Sequence, residues 1–137
     1  MALDKAIKKF LDDDDRFATL ATINADGTPQ QTVMWYLVQD DGSIMMNTAH
    51  GRKKDHNLHR DQRISICVED GYRYVTISGV AELNEGQAIA QADIRALAAR
   101  YHGDDKADEM MREQFGTQRR LTITLRPDNV DASGFGD

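Results

Sequence analysis

Residues 16–38 read RFATLATINADGTPQQTVMWYLV. Two runs of β-branched and apolar residues flank ADGTP, which is turn chemistry built on Gly27 and Pro29. The stretch predicts a β-hairpin, and the same grammar continues outward from it. QDDG supplies the next turn and SIMMNT a third strand. RISICVE predicts a fourth strand, EDG another turn, and YRYVTISGVAEL a long fifth strand. Within that fifth strand Val75, Ile77 and Gly79 fall on one face, and Tyr74, Thr76, Ser78 and Val80 on the other. RRLTITLRP closes the series: Leu121, Ile123 and Leu125 alternate with Thr122, Thr124 and Arg126 until Pro127.

Helical spacing punctuates the strands. Leu3, Ile7, Phe10 and Leu11 predict an amphipathic helix over residues 2–12. The acids Asp12 to Asp15 read as a solvated linker, since acids sit poorly at a helix C-terminus. Between residues 84 and 100, Ile89, Ile94, Leu97 and Ala98 mark one face of an alanine-rich helix. YHGDD breaks it, KADEMMREQFG predicts a second short helix, and the tail DASGFGD reads as mobile unless something pins it. One domain spanning 1–137 results: a mainly β fold of six or seven short antiparallel strands. The strands occupy about 16–83 and 119–126, with a helical insertion at about 86–115. Closure into a small barrel removes exposed strand edges.

Composition narrows the function. The chain has 137 residues, 23 Asp and Glu against 17 Lys and Arg, and a net charge of −6. An acidic surface argues against general nucleic-acid binding. One cysteine allows no intramolecular disulfide and fits a reducing cytoplasm. No apolar run suits a secretory signal, and none approaches the roughly 20 residues that span a bilayer.

Against that acidic background, residues 50–63, HGRKKDHNLHRDQR, carry Arg52, Lys53, Lys54, Arg60 and Arg63 with His50, His56 and His59. Three readings compete. In the first, Gly51 permits a tight turn before a helix whose free N–H groups, with Thr48, Arg52 and Lys54, hold an anion such as a cofactor phosphate. In the second, His56 and His59, spaced i, i+3, ligate a metal or haem iron, but no cysteine or close carboxylate completes the set and the cations oppose it. In the third, the segment is a solvated helix that Asp55 and Asp61 neutralise. The residues divide evenly between the first and the third.

The order of these pieces resembles the flavin and deazaflavin oxidoreductases of split β-barrel fold, the pyridoxamine 5′-phosphate oxidase superfamily. The resemblance runs from about Arg16 to Val130. It is carried by ATINADGTPQQTVMWYLV, by the GRKKDHNL and RDQRISICVED block, and by YRYVTISGVAEL. ALAARYHG and RLTITLRPDNV look like the branch that uses coenzyme F420, a deazaflavin. The resemblance implies a homodimer with two cofactor clefts at its interface. It places the cofactor phosphate against Thr48, Arg52, Lys53, Lys54 and Asn57, and the tricyclic ring along Gln30, Gln31, Thr32 and Val33. It brings Arg73 and Tyr74 from the facing subunit. Gln62 stands where the family carries proline. The residues that grip the vitamin substrate of pyridoxamine phosphate oxidases are not evident, so that activity is not carried over.

The expected function is hydride transfer between reduced F420 and an unsaturated organic substrate, with FMN as the alternative cofactor. A non-catalytic cofactor or haem carrier of the same fold is the reading from another class. No nucleophile–base pair stands out, as suits chemistry that belongs to a cofactor. Trp35, Tyr36, Met34, Met45 and Met46 are expected chiefly in packing, with an apolar substrate wall as their functional alternative. His102 reads as a helix-end residue and Cys67 as a buried, inert one.

Overall fold

The computed structural model describes residues 3–135. Asp4 caps helix α1 (Lys5–Asp12), its carboxylate accepting from Ile7 N–H. The expected helix therefore begins three residues later than its apolar pattern, and Ala2 lies outside the described residues. Strands β1 (Ala18–Ile23) and β2 (Pro29–Met34) form the expected hairpin, and a two-residue strand, β3 (Leu37–Val38), leads to β4 (Ile44–Ala49). Helix α2 (Lys53–Arg60) precedes β5 (Arg63–Asp70) and β6 (Arg73–Asn84). Helices α3 (Gln87–His102) and α4 (Asp104–Glu113) and a 3-10 turn (Phe115–Thr117) form the insertion before β7 (Arg120–Leu125) and β8 (Asn129–Ser133).

All pairings are antiparallel, in the order β2-β1-β5-β6-β7-β4-β3, with β8 also on β6. This is the curled split barrel the sequence pattern implies, with β3 and β8 bringing the strands to eight. β6 serves both halves: residues 73–80 pair with β5, residues 74–78 also with β8, and residues 81–84 with β7. The exchange of partners falls between Val80 and Ala81, beside Gly79, where a Cβ would sit 2.7 Å from the Arg126 carbonyl oxygen and 3.0 Å from Leu125.

Leu20, Ile66, Val75, Ile77 and Ile123 fill the barrel, and Phe10 and Leu11 plug one end from α1. A second apolar cluster forms where Ile94, Leu97 and Ala98 of α3 cover Met45. Ala90 completes that helix face, whereas Ile89, expected on it, points outward and is exposed. Because α3 packs over the second face of the β4–β7 pair, Asn47, Thr48 and Thr122 are buried as well as their apolar neighbours.

The tail corrects its reading. β8 pins it to β6, and Phe135 meets Phe10 edge-on at 5.1 Å between ring centroids; residues 136 and 137 lie outside the described residues. The Asp12–Asp15 run is tied down too: Arg16 pairs with Asp13 at 2.6 Å, and Arg100 donates to the carbonyls of Leu11 and Asp14. Gln62 donates to the Leu58 carbonyl at the end of α2, a bond the family's proline has no donor to make. Cys67, expected buried, faces outward and is partly covered.

Gly79→Val is expected to destabilise the fold by about 1–3 kcal/mol or more, since the clash is with backbone rather than a flexible side chain. Urea denaturation of the variant against the wild type measures it, and an unchanged midpoint refutes the constraint.

Candidate functional site

The two half-sheets part between the end of β2 and the end of β4, and a cleft of about 300 Å³ opens there. Val33, Met34 and Trp35 line one side, and Asn47, Thr48 and Ala49 the other. Ile94 and Leu97 of α3 and Phe115 of the 3-10 turn supply an apolar wall. Arg52, Lys54 and Arg120 complete it, and no carboxylate is among the lining residues.

The positive charge is built in. Gly51 adopts φ +89°, the tight turn its sequence position predicts, and Arg52 stands in extended backbone at the N-cap of α2. Its side chain makes no capping bond, so the first-turn N–H groups of α2 receive no side-chain acceptor from it. The buried carboxylate of Asp55 holds the turn, accepting Gly51 N–H at 2.7 Å and lying 3.2 Å from His50 Nδ1. Lys54 is 8% exposed and Arg120 6%. Burial, with Arg52 and Arg120 beside it, pushes the Lys54 ammonium below its ordinary range. Burial and then the Arg52 charge push the Arg120 guanidinium down to about 10. Leaving such charges unpaired costs on the order of several kcal/mol per ion. An anion in the cleft would offset that cost.

Of the expected site residues, Val33, Thr48, Arg52 and Lys54 converge on this cleft. Lys53 and Asn57 turn to a neighbouring hollow with Asn24, Asp26 and Arg60. Asn57 is committed there: it donates to Thr22 Oγ1 and Asn24 Oδ1 and accepts from Arg60. Gln30 accepts from Thr22, Gln31 is exposed, and the Thr32 hydroxyl oxygen is buried without a partner among the described residues. Arg73 lies against Phe10 and Phe135, Tyr74 pairs with Ser133, and neither lines the cleft of its own chain.

Arg120 and Gln114 also line the cleft and were missed, because each looks like an ordinary polar residue at a strand or helix end; Asn47 lines it beside the expected Thr48 on β4. Trp35 and Met34, expected chiefly in packing, line the cleft. Trp35 stacks on Tyr101 at 5.4 Å, Tyr101 stacks on Phe17, and His102 meets Trp35 edge-on. Among the described residues no three of His, Cys, Asp and Glu are grouped to hold a metal. His56 is exposed, while His59 Nδ1 lies 2.9 Å from Asp55 and Nε2 3.4 Å from Glu85.

The bond to the Asp55 backbone carbonyl and the Glu85 carboxylate raise His59 above its ordinary 6.5. Its contribution to stability is therefore full below pH 6.5 and lost as pH rises through the higher folded value. His59→Gln is expected to flatten that part of the melting-temperature profile; an unaltered slope removes His59 as its source.

Among solved structures, the conserved hypothetical protein Rv2991 from Mycobacterium tuberculosis is 31% identical, with a TM-score of 0.79 over 98% of this chain and 87% of its own. An F420 reductase is 26% identical, with a TM-score of 0.69 over 90% and 94%. The heme storage protein HutZ from Vibrio cholerae shares the fold at 22% identity, with a TM-score of 0.72 over 99% and 98%. No described helix is long and apolar enough to cross a membrane. A family model described as pyridoxamine 5′-phosphate oxidase matches residues 3–132, and the chain belongs to that family.

Proposed function

We propose that the cleft binds a deazaflavin, coenzyme F420, and that the protein is an oxidoreductase acting on an unsaturated organic substrate. The observation that carries this reading is the pair of buried cations, Lys54 and Arg120, in a cleft whose lining has no carboxylate. Thr48, Arg52 and Lys54 would hold the cofactor phosphate at the start of α2. The free edge of β2 would offer backbone donors and acceptors to the ring. When bound, the cofactor supplies the hydride chemistry. The chain's own part is to fix the phosphate, orient the ring, and exclude water with Trp35, Leu97 and Phe115. The 26% identity to an F420 reductase across nearly the whole of both chains supports the deazaflavin over other ligands of the fold. FMN is the second reading, since it too joins a phosphate to a tricyclic ring.

The chain's sole tryptophan lines the cleft, so ligand binding should quench its emission. Titration with F420 and with FMN is expected to show tighter, salt-sensitive binding of F420. Lys54→Ala should weaken it by about 1.5–3 kcal/mol, one charge-assisted contact. Tighter FMN binding would exchange the cofactor, and binding of neither would overturn the reading.

The second copy would dock on the outer face of the barrel. Val33, Thr19, Cys67 and Thr76 lie in one cross-strand row, and Gln31, Ala21, Ser65 and Ser78 in the next. None is charged, all are at least partly exposed, and Val33 is 69% exposed. The rows continue into Asp131 and Asn129 of β8, and the uncharged part of the face between β2 and β6 suits burial against its own copy. Light scattering at micromolar concentration should give the dimer mass, and Thr76→Arg should shift it to monomer. A monomeric wild type refutes the assembly.

A further inference from the structure

We propose that Arg120 is a phosphate-binding prong that makes the site select phosphorylated over phosphate-free forms of its ligand. The inference rests on the cofactor reading for the identity of the ligand, but not for the anion. Arg120 opens β7 opposite Ala49, the last residue of β4. Its backbone is held on both sides by Gln87, which accepts from Arg120 N–H at 2.8 Å and donates to its carbonyl at 2.9 Å. Its guanidinium lies 5.0 Å over the Phe115 ring. Nε donates to Asn47 Oδ1 at 2.9 Å and Nη1 to Gln118 Oε1 at 2.7 Å. Every one of these contacts is neutral.

The orientation of Asn47 is forced. Its amide group donates to the Ala90 carbonyl and to Thr122 Oγ1, so its oxygen must face Arg120. Thr122 in turn donates to Asp93. Hydrogen bonds thus run in one direction, Arg120 to Asn47 to Thr122 to Asp93. The nearest carboxylate on this path is reached only through two neutral side chains. A guanidinium carries five N–H donors. Two are used, and among the described residues no acceptor reaches Nη2. The side chain is immobilised, keeps donors without an acceptor among the described residues, and belongs to a residue that lines the cleft with Lys54 and Arg52. A purely structural arginine at 6% exposure would be expected to meet a carboxylate directly. A phosphate matches the fork and supplies the missing charge.

The test pairs each cofactor with its phosphate-free form: FMN with riboflavin, and F420 with its unphosphorylated riboside chromophore. Affinities are read by Trp35 quenching in the wild type, Arg120→Lys and Arg120→Gln. Arg120→Gln should weaken the phosphorylated ligand roughly 10- to 100-fold and leave the phosphate-free one unchanged. Arg120→Lys should recover part of the loss. Equal losses for both forms would mean Arg120 only shapes the cleft, and no loss would mean it does not reach the ligand; either overturns the proposal. Inorganic phosphate supplies a probe free of the cofactor question: it should raise the melting temperature of the wild type and not of Arg120→Gln. If phosphate stabilises only the wild type while no flavin or deazaflavin binds, the cofactor reading fails and the prong stands. If phosphate stabilises both equally or neither, the prong fails.

Discussion

The close approach of Gly79 to the Arg126 carbonyl lies beside the point, between Val80 and Ala81, where β6 changes partners. Before this point the strand is built into the half-sheet with β5, β1 and β2; beyond it the strand pairs with β7, whose neighbours are β4 and β3. Bringing two strand backbones so near leaves no room for a side chain. The two half-sheets curl about a shared apolar interior and part at the far edges, where β2 and β4 face the same space. Ligand-binding residues at the ends of rigid strands are held to better precision than residues on loops.

Charge distribution separates the two roles of this surface. The net charge is −6, yet the cleft concentrates Arg52, Lys54 and Arg120 against low-dielectric walls. Such an arrangement would raise the local concentration of an anion while the remaining surface would repel polyanions at large. It carries a stability cost, because the cations repel one another and Lys54 and Arg120 are buried. The chain tolerates it because the scaffold around them is well satisfied: Asp55 clamps the Gly51 turn, and Gln87 clamps the Arg120 backbone.

Much of the barrel was legible in the sequence because its signals are local. Period-two alternation in RLTITL and the turn residues at Gly27 and Gly42 depend on neighbours along the chain. The signals that failed depend on residues far away. β8 has no alternation of its own and becomes a strand only because the edge of β6 is open to it. Ile89 fits the helical face by spacing, but α3 turns Ala90 inward so that the helix can approach β4 and β7 closely. The Gly51 turn and the basic start of α2 could be read as a candidate anion site, since their residues are contiguous. Arg120 lies 66 residues beyond Lys54, and the β4–β7 register alone joins them.

That register also explains why a neutral residue such as Asn47 matters as much as the cations. Asn47 pairs directly with Thr122, so a slip of either strand by one residue would turn its member of the pair away from α3. With the register kept, Asn47 reaches the Ala90 carbonyl and the Arg120 guanidinium at once. The helix, both strands and the charged group are then parts of one hydrogen-bonded unit. Losing the Asn47 amide would free Arg120 to swing without removing any charge from the cleft. Position and charge are therefore separable contributions, and α3 is anchored by the same side chain that holds the guanidinium.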